Sequence, residues 1–282
     1  MIKLFNIPQF NVNSYNFKHL LHDPIVTELE EKIANYVGAQ YAVSFNSASS
    51  AIFLIAKYYK ELLFQIPSII PPVVPNAIIN ACRDFEFTNI VDWVGDSYIL
   101  ARGDGFSFKV IDSAQKIVKN QFKLKADNSD LMIFSFFPTK PIGGLDGGMV
   151  VSNNREKIEY LRLLSMNGMT SKYSQNSWDK QILLSGWKMY MNSVQATIID
   201  ANFKFLEQKK QRLSKIRDRY NSEFSLNNTS EHLYRIKTAN NDRAKRYLEL
   251  HDIESGIHYR ALHNHPIYKK YATWNNYFHS ET

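Results

Sequence analysis

The chain is expected to fold as an α/β protein built on a largely parallel sheet, and three observations carry that expectation. Short apolar runs alternate with helical patterns from the first helix through Leu164. The link between an early strand and its helix, Asn46 to Ser50 (NSASS), is made only of small polar residues. The segment Ile133 to Ser152, IFSFFPTKPIGGLDGGMVVS, reads as two buried strands joined by a Pro-Thr-Lys turn and a glycine-rich loop. Alternating strands and helices bury a sheet between helical layers, and ligands of such sheets collect at the carboxyl ends of the strands.

Taken in order, His22 to Val37 carries apolar residues at helical spacing (Ile25, Leu29, Ile33, Val37), opens on Asp-Pro and stops at Gly38, which predicts a helix. Gln40 to Phe45 alternates as a strand, and Ala51 to Leu63 continues as an apolar helix beyond the serine-rich turn. The free N–H groups and positive end of such a helix suit a phosphate, with Ser47 and Ser49 as extra donors, although a serine-rich turn more often only caps. Pro67 to Pro75 is a short buried segment punctuated by prolines, followed by a helix from about Asn76 to Arg83 and a strand around Thr88 to Asp92. Lys109 to Asp112 is an apolar strand ending in an acid, Leu131 to Phe136 leads into the lysine turn, and Gly148 to Val151 follows it. Lys157 to Leu164 is predicted helical, Asn167 to Gly186 irregular, and Met191 to Phe224 one long helix joining two lobes. A small terminal unit is expected to contain a strand (His232 to Lys237), a helix (Asp242 to His251) and a strand (Gly256 to Tyr259). The domain boundary implied is a large domain over residues 1–190 and a connecting helix with a small domain over 191–282.

Composition narrows the function. Hydrophobic residues at 44% and aromatics at 13% fill a substantial core. No apolar run approaches the roughly 20 residues of a membrane span, and MIKLFNIPQFNVNS lacks the apolar stretch of a signal peptide, so a cytoplasmic protein without membrane contact is expected. The single cysteine, Cys82, cannot form an internal disulfide and reads as a small buried helical residue. A formal charge of +7 suits an anionic partner. The basic residues are interleaved with acids apart from Glu207 to Arg219, which reads as a solvated helix face, so a phosphorylated small molecule fits better than nucleic acid. His258, His263 and His265 match no zinc spacing, and no metal is expected.

Lys140 is the candidate for chemistry. Burial beside other cations lowers an amine's pKa, and a lysine so tuned condenses with carbonyl compounds. On spacing alone it reads equally as a surface lysine in a hairpin turn. Asp112, at a strand's carboxyl end, reads equally as a ligand-binding acid or as the cap of the next turn.

Together these segments resemble the DegT/DnrJ/StrS family of sugar aminotransferases. The resemblance runs from about Asp23 to Tyr268 and is carried by HDPIVTELEEKIANYVGAQYAV, NSASSAI, VIDSAQ, FSFFPTKPIGGLDGGMVVSN, NSWDKQILLSGWKMYMNSVQA, the HLYRI strand and GIHYRALHNHPIY. It implies the aspartate-aminotransferase fold (fold type I), with a mainly parallel central sheet and a smaller α+β lobe, and pyridoxal 5'-phosphate as cofactor. Lys140 matches the lysine that holds the cofactor covalently and acts as its acid-base group, and Asp112 the carboxylate that pairs with the pyridine nitrogen. Gln115 matches a glutamine contacting the ring region, and Ser135 a serine that binds the cofactor phosphate together with backbone at Ala48 and Ser49. Lys188 falls where the family reaches the phosphate from a neighbouring subunit, which implies a homodimer. His258 and Tyr259 are placed near a sugar substrate.

Departures accompany the matches. The phosphate turn has Ala48-Ser49 for the usual Gly-Thr, and the ring-stacking aromatic is replaced by Val73 or Val74. Only about Gly95 to Lys109 lies where the family has an extra strand and helix, so a smaller sheet is expected, and the chain stops at HSET soon after the family's His-Tyr segment, so a small lobe without its terminal helix is expected. The resemblance implies a transaminase that moves nitrogen from glutamate, or glutamine, to the keto-sugar of a nucleoside diphosphate. The alternatives are a reduced relative serving as a binding or regulatory protein, or a sugar dehydratase; dehydrating relatives carry histidine in place of the lysine, which argues against the last.

Overall fold

The computed structural model describes residues 1–3, 23–103, 105, 107–170, 178 and 180–272. The predicted helix start at His22, Asn176, Ser177 and Asp179 of the NSWDKQ motif, and the terminal HSET lie outside them.

Helix α1 spans Pro24–Val37 and buries Ile25, Leu29, Ile33 and Val37 as their spacing predicts. Gly38 ends it at φ 78°, a left-handed position that an L side chain adopts only at a cost. Strand β1 (Tyr41–Phe45) leads through Ser47, whose hydroxyl accepts from the Ser50 N–H, into α2 (Ala48–Tyr58). Next come β2 (Leu63–Pro67), α3 (Val73–Asn80) and β3 (Phe85–Thr88). Helix α3 starts three residues earlier than expected because Pro75 falls in its first turn, where a missing N–H costs nothing. Its earlier end corrects the reading of Cys82, which is exposed in a left-handed turn just past the helix and not buried within it.

Strand β4 (Tyr98–Arg102), β5 (Lys109–Asp112), the short α4 (Gln121–Lys125), β6 (Leu131–Ser135), β7 (Gly148–Ser152) and α5 (Arg155–Ser165) complete the layered core. The sheet has seven strands in the order β1-β7-β6-β5-β4-β2-β3. The pairings give β1, β2, β3, β5 and β6 one direction, with β4 and β7 reversed, so the sheet is mainly parallel in sense. The expectation of a smaller sheet is corrected here. Residues 103–108 are too few for a crossover helix but enough for a hairpin, so the strand filling the gap between β5 and β2 runs antiparallel.

Each sheet face packs its own core. One face buries Val43, Phe45, Ile133 and Val150 under α2, α3 and α5, and the other buries Met132, Phe134, Met149 and Val151 under α1 and α6 (Ser193–Phe203). The predicted single helix over 191–224 is two: α6 turns at Lys204-Phe205 into α7 (Leu206–Phe224), which buries only Leu206. Helix α8 (Asn241–Leu250) forms as expected. The predicted strands His232 to Lys237 and Gly256 to Tyr259 join no ladder, because strand-favouring residues need a partner edge, and Tyr259 turns back to donate to the Ile257 carbonyl. Among the described residues, a bridge in this region pairs Ile2 with Ile253.

A buried ion pair wraps the β1 edge. Glu30 of α1, 3% exposed, accepts from Ser44 N (2.7 Å) and Ser44 Oγ (2.6 Å) and binds both terminal nitrogens of Arg162 from α5 (3.1 and 2.8 Å). Arg162 also donates to the Ala42 carbonyl at 2.8 Å, so the outward backbone groups of the edge strand are taken by side chains. Arg162→Met strands the buried carboxylate and is expected to cost about 3–5 kcal/mol, whereas Glu30→Leu combined with Arg162→Met costs much less. Urea unfolding midpoints of the two variants check this.

Candidate active site

The carboxyl ends of β1, β5 and β6 and the adjoining ends of the reversed strands β4 and β7 meet along one rim of the sheet. Register brings the residues together: Tyr98 lies opposite Asp112, Asp112 beside Ile133, and Ser135 opposite Gly148, which itself pairs with Phe45. Directly paired residues share a face and alternate residues return to it, so Asp112, Ser135 and the bare Gly148 all face the side carrying α2.

Gly148 makes room at the start of α2. A Cβ there would stand 2.4 Å from the Ala48 nitrogen, which no side chain tolerates. The N–H groups of Ala48 and Ser49 lie ahead of the first hydrogen bonds of the helix, made by Ser50 to the Ser47 hydroxyl and by Ala51 to the Ser47 carbonyl. With the Ser135 hydroxyl on the same face across the glycine, this is a cradle that fits a phosphate. The Ser135 oxygen accepts at 3.4 Å from Phe137 N, a long contact.

The lysine turn follows β6 directly. Lys140 N closes it onto the Phe137 carbonyl at 2.9 Å, and the loop beyond is fastened from outside by Asn202 of α6 on the Gly143 carbonyl and by Lys209 of α7 on the Pro141 carbonyl at 3.1 Å. Burial lowers the Lys140 pKa, while the charge of Asp112 opposes the shift. Asp112, 5% exposed, is pushed up by burial and drawn down by the Ala114 N–H (2.9 Å), the Tyr98 hydroxyl (2.8 Å) and Lys140. One Asp112 oxygen caps its own turn, as one reading expected, and the carboxylate is close enough to Lys140 for each to shift the other's proton affinity.

Gln115 is buried and accepts from the Gly95 N–H at 2.6 Å. With Lys116, Thr139, Lys209 and His232 it lines a cavity of about 640 Å³ beside the lysine turn, whose walls include neither Lys140 nor Asp112. Of the two valines expected near the ring, Val74 is buried in the core and Val73 is half exposed. Lys188 is exposed; its strand-like segment lies against the start of the α2 turn, where Asn46 N donates to the Met189 carbonyl at 2.8 Å. Tyr259 sits at φ 60°, a strained conformation for an aromatic residue, with its ring 4.0 Å from that of His258.

Three residues that the sequence reading did not single out, Tyr98, Trp93 and His232, belong here beside His258. Tyr98 holds Asp112, and Trp93 packs its ring edge against Tyr98 at 5.2 Å and lies 6.3 Å from His258. His232 is held at a pKa of about 3 by burial and then by Lys140, Lys209 and His258, and His258 at about 4 by burial and then by Lys140 and Arg235, so both imidazoles are neutral near pH 7. The signal for Tyr98 was present: YILAR is a strand-like run a hairpin's length before KVID.

Residues 123–282, more than half of the chain, match the DegT/DnrJ/EryC1/StrS aminotransferase family. A UDP-4-amino-4,6-dideoxy-N-acetyl-beta-L-altrosamine transaminase of Campylobacter jejuni is 28% identical, over 82% of this chain and 74% of its own length. The spore coat polysaccharide biosynthesis protein SpsC of Bacillus subtilis is 26% identical, over 88% and 78%. In fold the chain is similar to Helicobacter pylori PseC, an aminotransferase of pseudoaminic acid biosynthesis, with a TM-score of 0.69 at 17% identity over 94% of this chain and 84% of that one.

Two substitutions test the rim. Tyr98→Phe removes a hydrogen bond that favours the ionised carboxylate, so the Asp112 carboxyl pKa, read by carbon NMR, is expected to rise. Gly148→Ala closes the cradle and is expected to weaken pyridoxal phosphate binding about tenfold or more, measured by equilibrium dialysis.

Proposed function

The chain belongs to the DegT/DnrJ/EryC1/StrS aminotransferase family, and on that premise we propose that it moves an amino group from glutamate to the keto-sugar of a nucleoside diphosphate sugar. It is a pyridoxal-phosphate-dependent aminotransferase. The observation that carries the site assignment is the buried pair at the strand ends, Lys140 and Asp112, beside a helix start kept open by Gly148.

The N–H groups of Ala48 and Ser49 and the Ser135 hydroxyl would hold the phosphate. Asp112, whose carboxylate the Tyr98 hydroxyl and Ala114 N–H keep oriented, would pair with the ring nitrogen and keep it protonated. When bound, the cofactor supplies a carbonyl carbon that accepts nitrogen and a protonated ring that withdraws electrons. Lys140 Nζ would anchor the cofactor and move the proton at the substrate carbon; its lowered pKa leaves more of the amine neutral at pH 7 than an exposed lysine would have. Gln115 braces the wall beside the ring through Gly95 N–H. Neutral His258 and the strained Tyr259 stand on the side we assign to the sugar. The UDP-sugar named for the Campylobacter relative supports a nucleotide-sugar acceptor, and the basic excess suits its diphosphate.

We further propose a homodimer in which Lys188, exposed beside the α2 turn, completes the partner's phosphate site, and a division of labour between residues 1–190 and 191–282. Among the described residues no helix is long and apolar enough to cross a membrane.

Borohydride reduction after incubation with pyridoxal phosphate is expected to fix one cofactor on the peptide containing Lys140, read by mass spectrometry. Label on Lys188 or elsewhere refutes the assignment. Asp112→Asn is expected to retain cofactor but slow amination by about 10²-fold or more. Mixing Lys140→Ala with Lys188→Ala protein is expected to restore activity above either variant alone; no recovery rejects the shared site.

A further inference from the structure

Close to the lysine turn the protein keeps polar atoms buried without partners. Trp93 Nε1, Arg235 Nε and His258 Nε2 are each buried and make no hydrogen bond. The three residues are neighbours: Trp93 and His258 rings lie 6.3 Å apart, and Arg235 Nη1 donates at 3.0 Å to the carbonyl of Val91, two residues before Trp93. Through Trp93 and Tyr98 the group adjoins Asp112. A buried donor left unpaired costs about 1–3 kcal/mol, and three in one place point to a ligand that supplies the missing acceptors.

The chemistry of the atoms selects the ligand. An indole nitrogen and a guanidinium Nε only donate, and a neutral imidazole can present Nε2–H, so the site asks for an acceptor with several lone pairs. The Arg235 guanidinium is half-buried, and among the described residues no carboxylate pairs with it; a carbonyl satisfies one nitrogen but leaves the charge uncompensated. The missing acceptor is therefore an anion. The cofactor phosphate has its own cradle at Ala48, Ser49 and Ser135, so this second anion site belongs to a substrate.

We propose that Arg235, with Trp93 and His258, binds the carboxylate of the amino-acid donor. This rests on the aminotransferase reading, which requires a donor whose amino group reaches the Lys140 position while a carboxylate lies one carbon away. His258 is sensitive to the charges of both Lys140 and Arg235, after burial, which sets the three within electrostatic reach of one another. A planar guanidinium suits a carboxylate better than a sugar hydroxyl, because two parallel N–H···O bonds also orient the carbon that must lose its proton. The sugar takes its turn at the same lysine, against His258 and Tyr259, while its diphosphate lies outside the reach of Arg235.

Glutarate, an unreactive dicarboxylate, titrated into the cofactor-loaded protein by calorimetry tests the assignment, with UDP as the control ligand. Arg235→Met is expected to weaken glutarate binding by about 10- to 100-fold and leave UDP affinity unchanged. Trp93→Phe, which removes one N–H and keeps an aromatic ring, is expected to weaken it about three- to tenfold. In amination assays Arg235→Lys should raise KM for glutamate more than it lowers kcat. Unchanged glutarate affinity in Arg235→Met, absence of glutarate binding to the wild type, or loss of UDP affinity in its place overturns the proposal. A wild-type protein that takes up no pyridoxal phosphate would instead overturn the aminotransferase reading on which it rests.

Discussion

The six residues between β4 and β5 govern both the sheet and the site. A chain that leaves one strand and must pair the next within 103–108 can only turn back, so β4 runs antiparallel between β5 and β2. The sheet thereby keeps seven strands without a crossover helix. The reversal also brings the beginning of β4, not its end, to the rim where strands β5 and β6 finish. Tyr98 arrives opposite Asp112 for that reason, and Trp93, five residues earlier, is carried into the neighbourhood of His258.

Much of this was legible in the sequence, and the failures share a cause. The α1 face, the α2 turn, the strands around Lys140 and the acid at the end of β5 follow from periodicity and punctuation, which act over a few residues. The role of Asp112 was left between cap and ligand; the structure shows the cap at Ala114 N and adds a Tyr98 hydroxyl and a nearby Lys140 that the local pattern does not report. Tyr98 was overlooked although YILAR reads as a strand, because its importance comes from the pairing partner fourteen positions away that a hairpin with KVID would give it. The two strands expected after His232 failed for the converse reason: HLYRI has the composition of a strand, but no edge is available to receive it. Likewise the helix over 191–224 looked continuous, yet its first part is anchored in the core through Ala196 and Ile199 and its second is not. Arg235 was invisible as a binding residue because an uncompensated charge is defined by what surrounds it.

Electrostatically the rim is held in tension. Burial disfavours the charge on Lys140 and on Asp112, and each charge offsets part of the penalty of the other. The two histidines nearby stay neutral, so they add no positive charge that would compete for Asp112. A site in which ionisable groups are poised and donors are unsatisfied is less stable than a well-packed apolar one of equal size. Occupancy by cofactor and substrate returns that free energy, which links the protein's folding stability to its ligands.

The Glu30–Arg162 clamp reaches further than local stability. By occupying Ser44 N and the Ala42 carbonyl it leaves β1 little backbone with which to recruit a foreign strand, and Met189-Tyr190 take up Phe45 and Asn46 beyond it. At the opposite border the turn Pro266–Tyr271 lies along β3, with Tyr271 stacked on Phe85 at 4.2 Å. Sheets left open at their margins can fuse into continuous intermolecular sheets and so into fibres. Here the β1 margin has its outward backbone groups engaged by the chain's own side chains, so a strand from another copy finds no free ladder to extend at that edge.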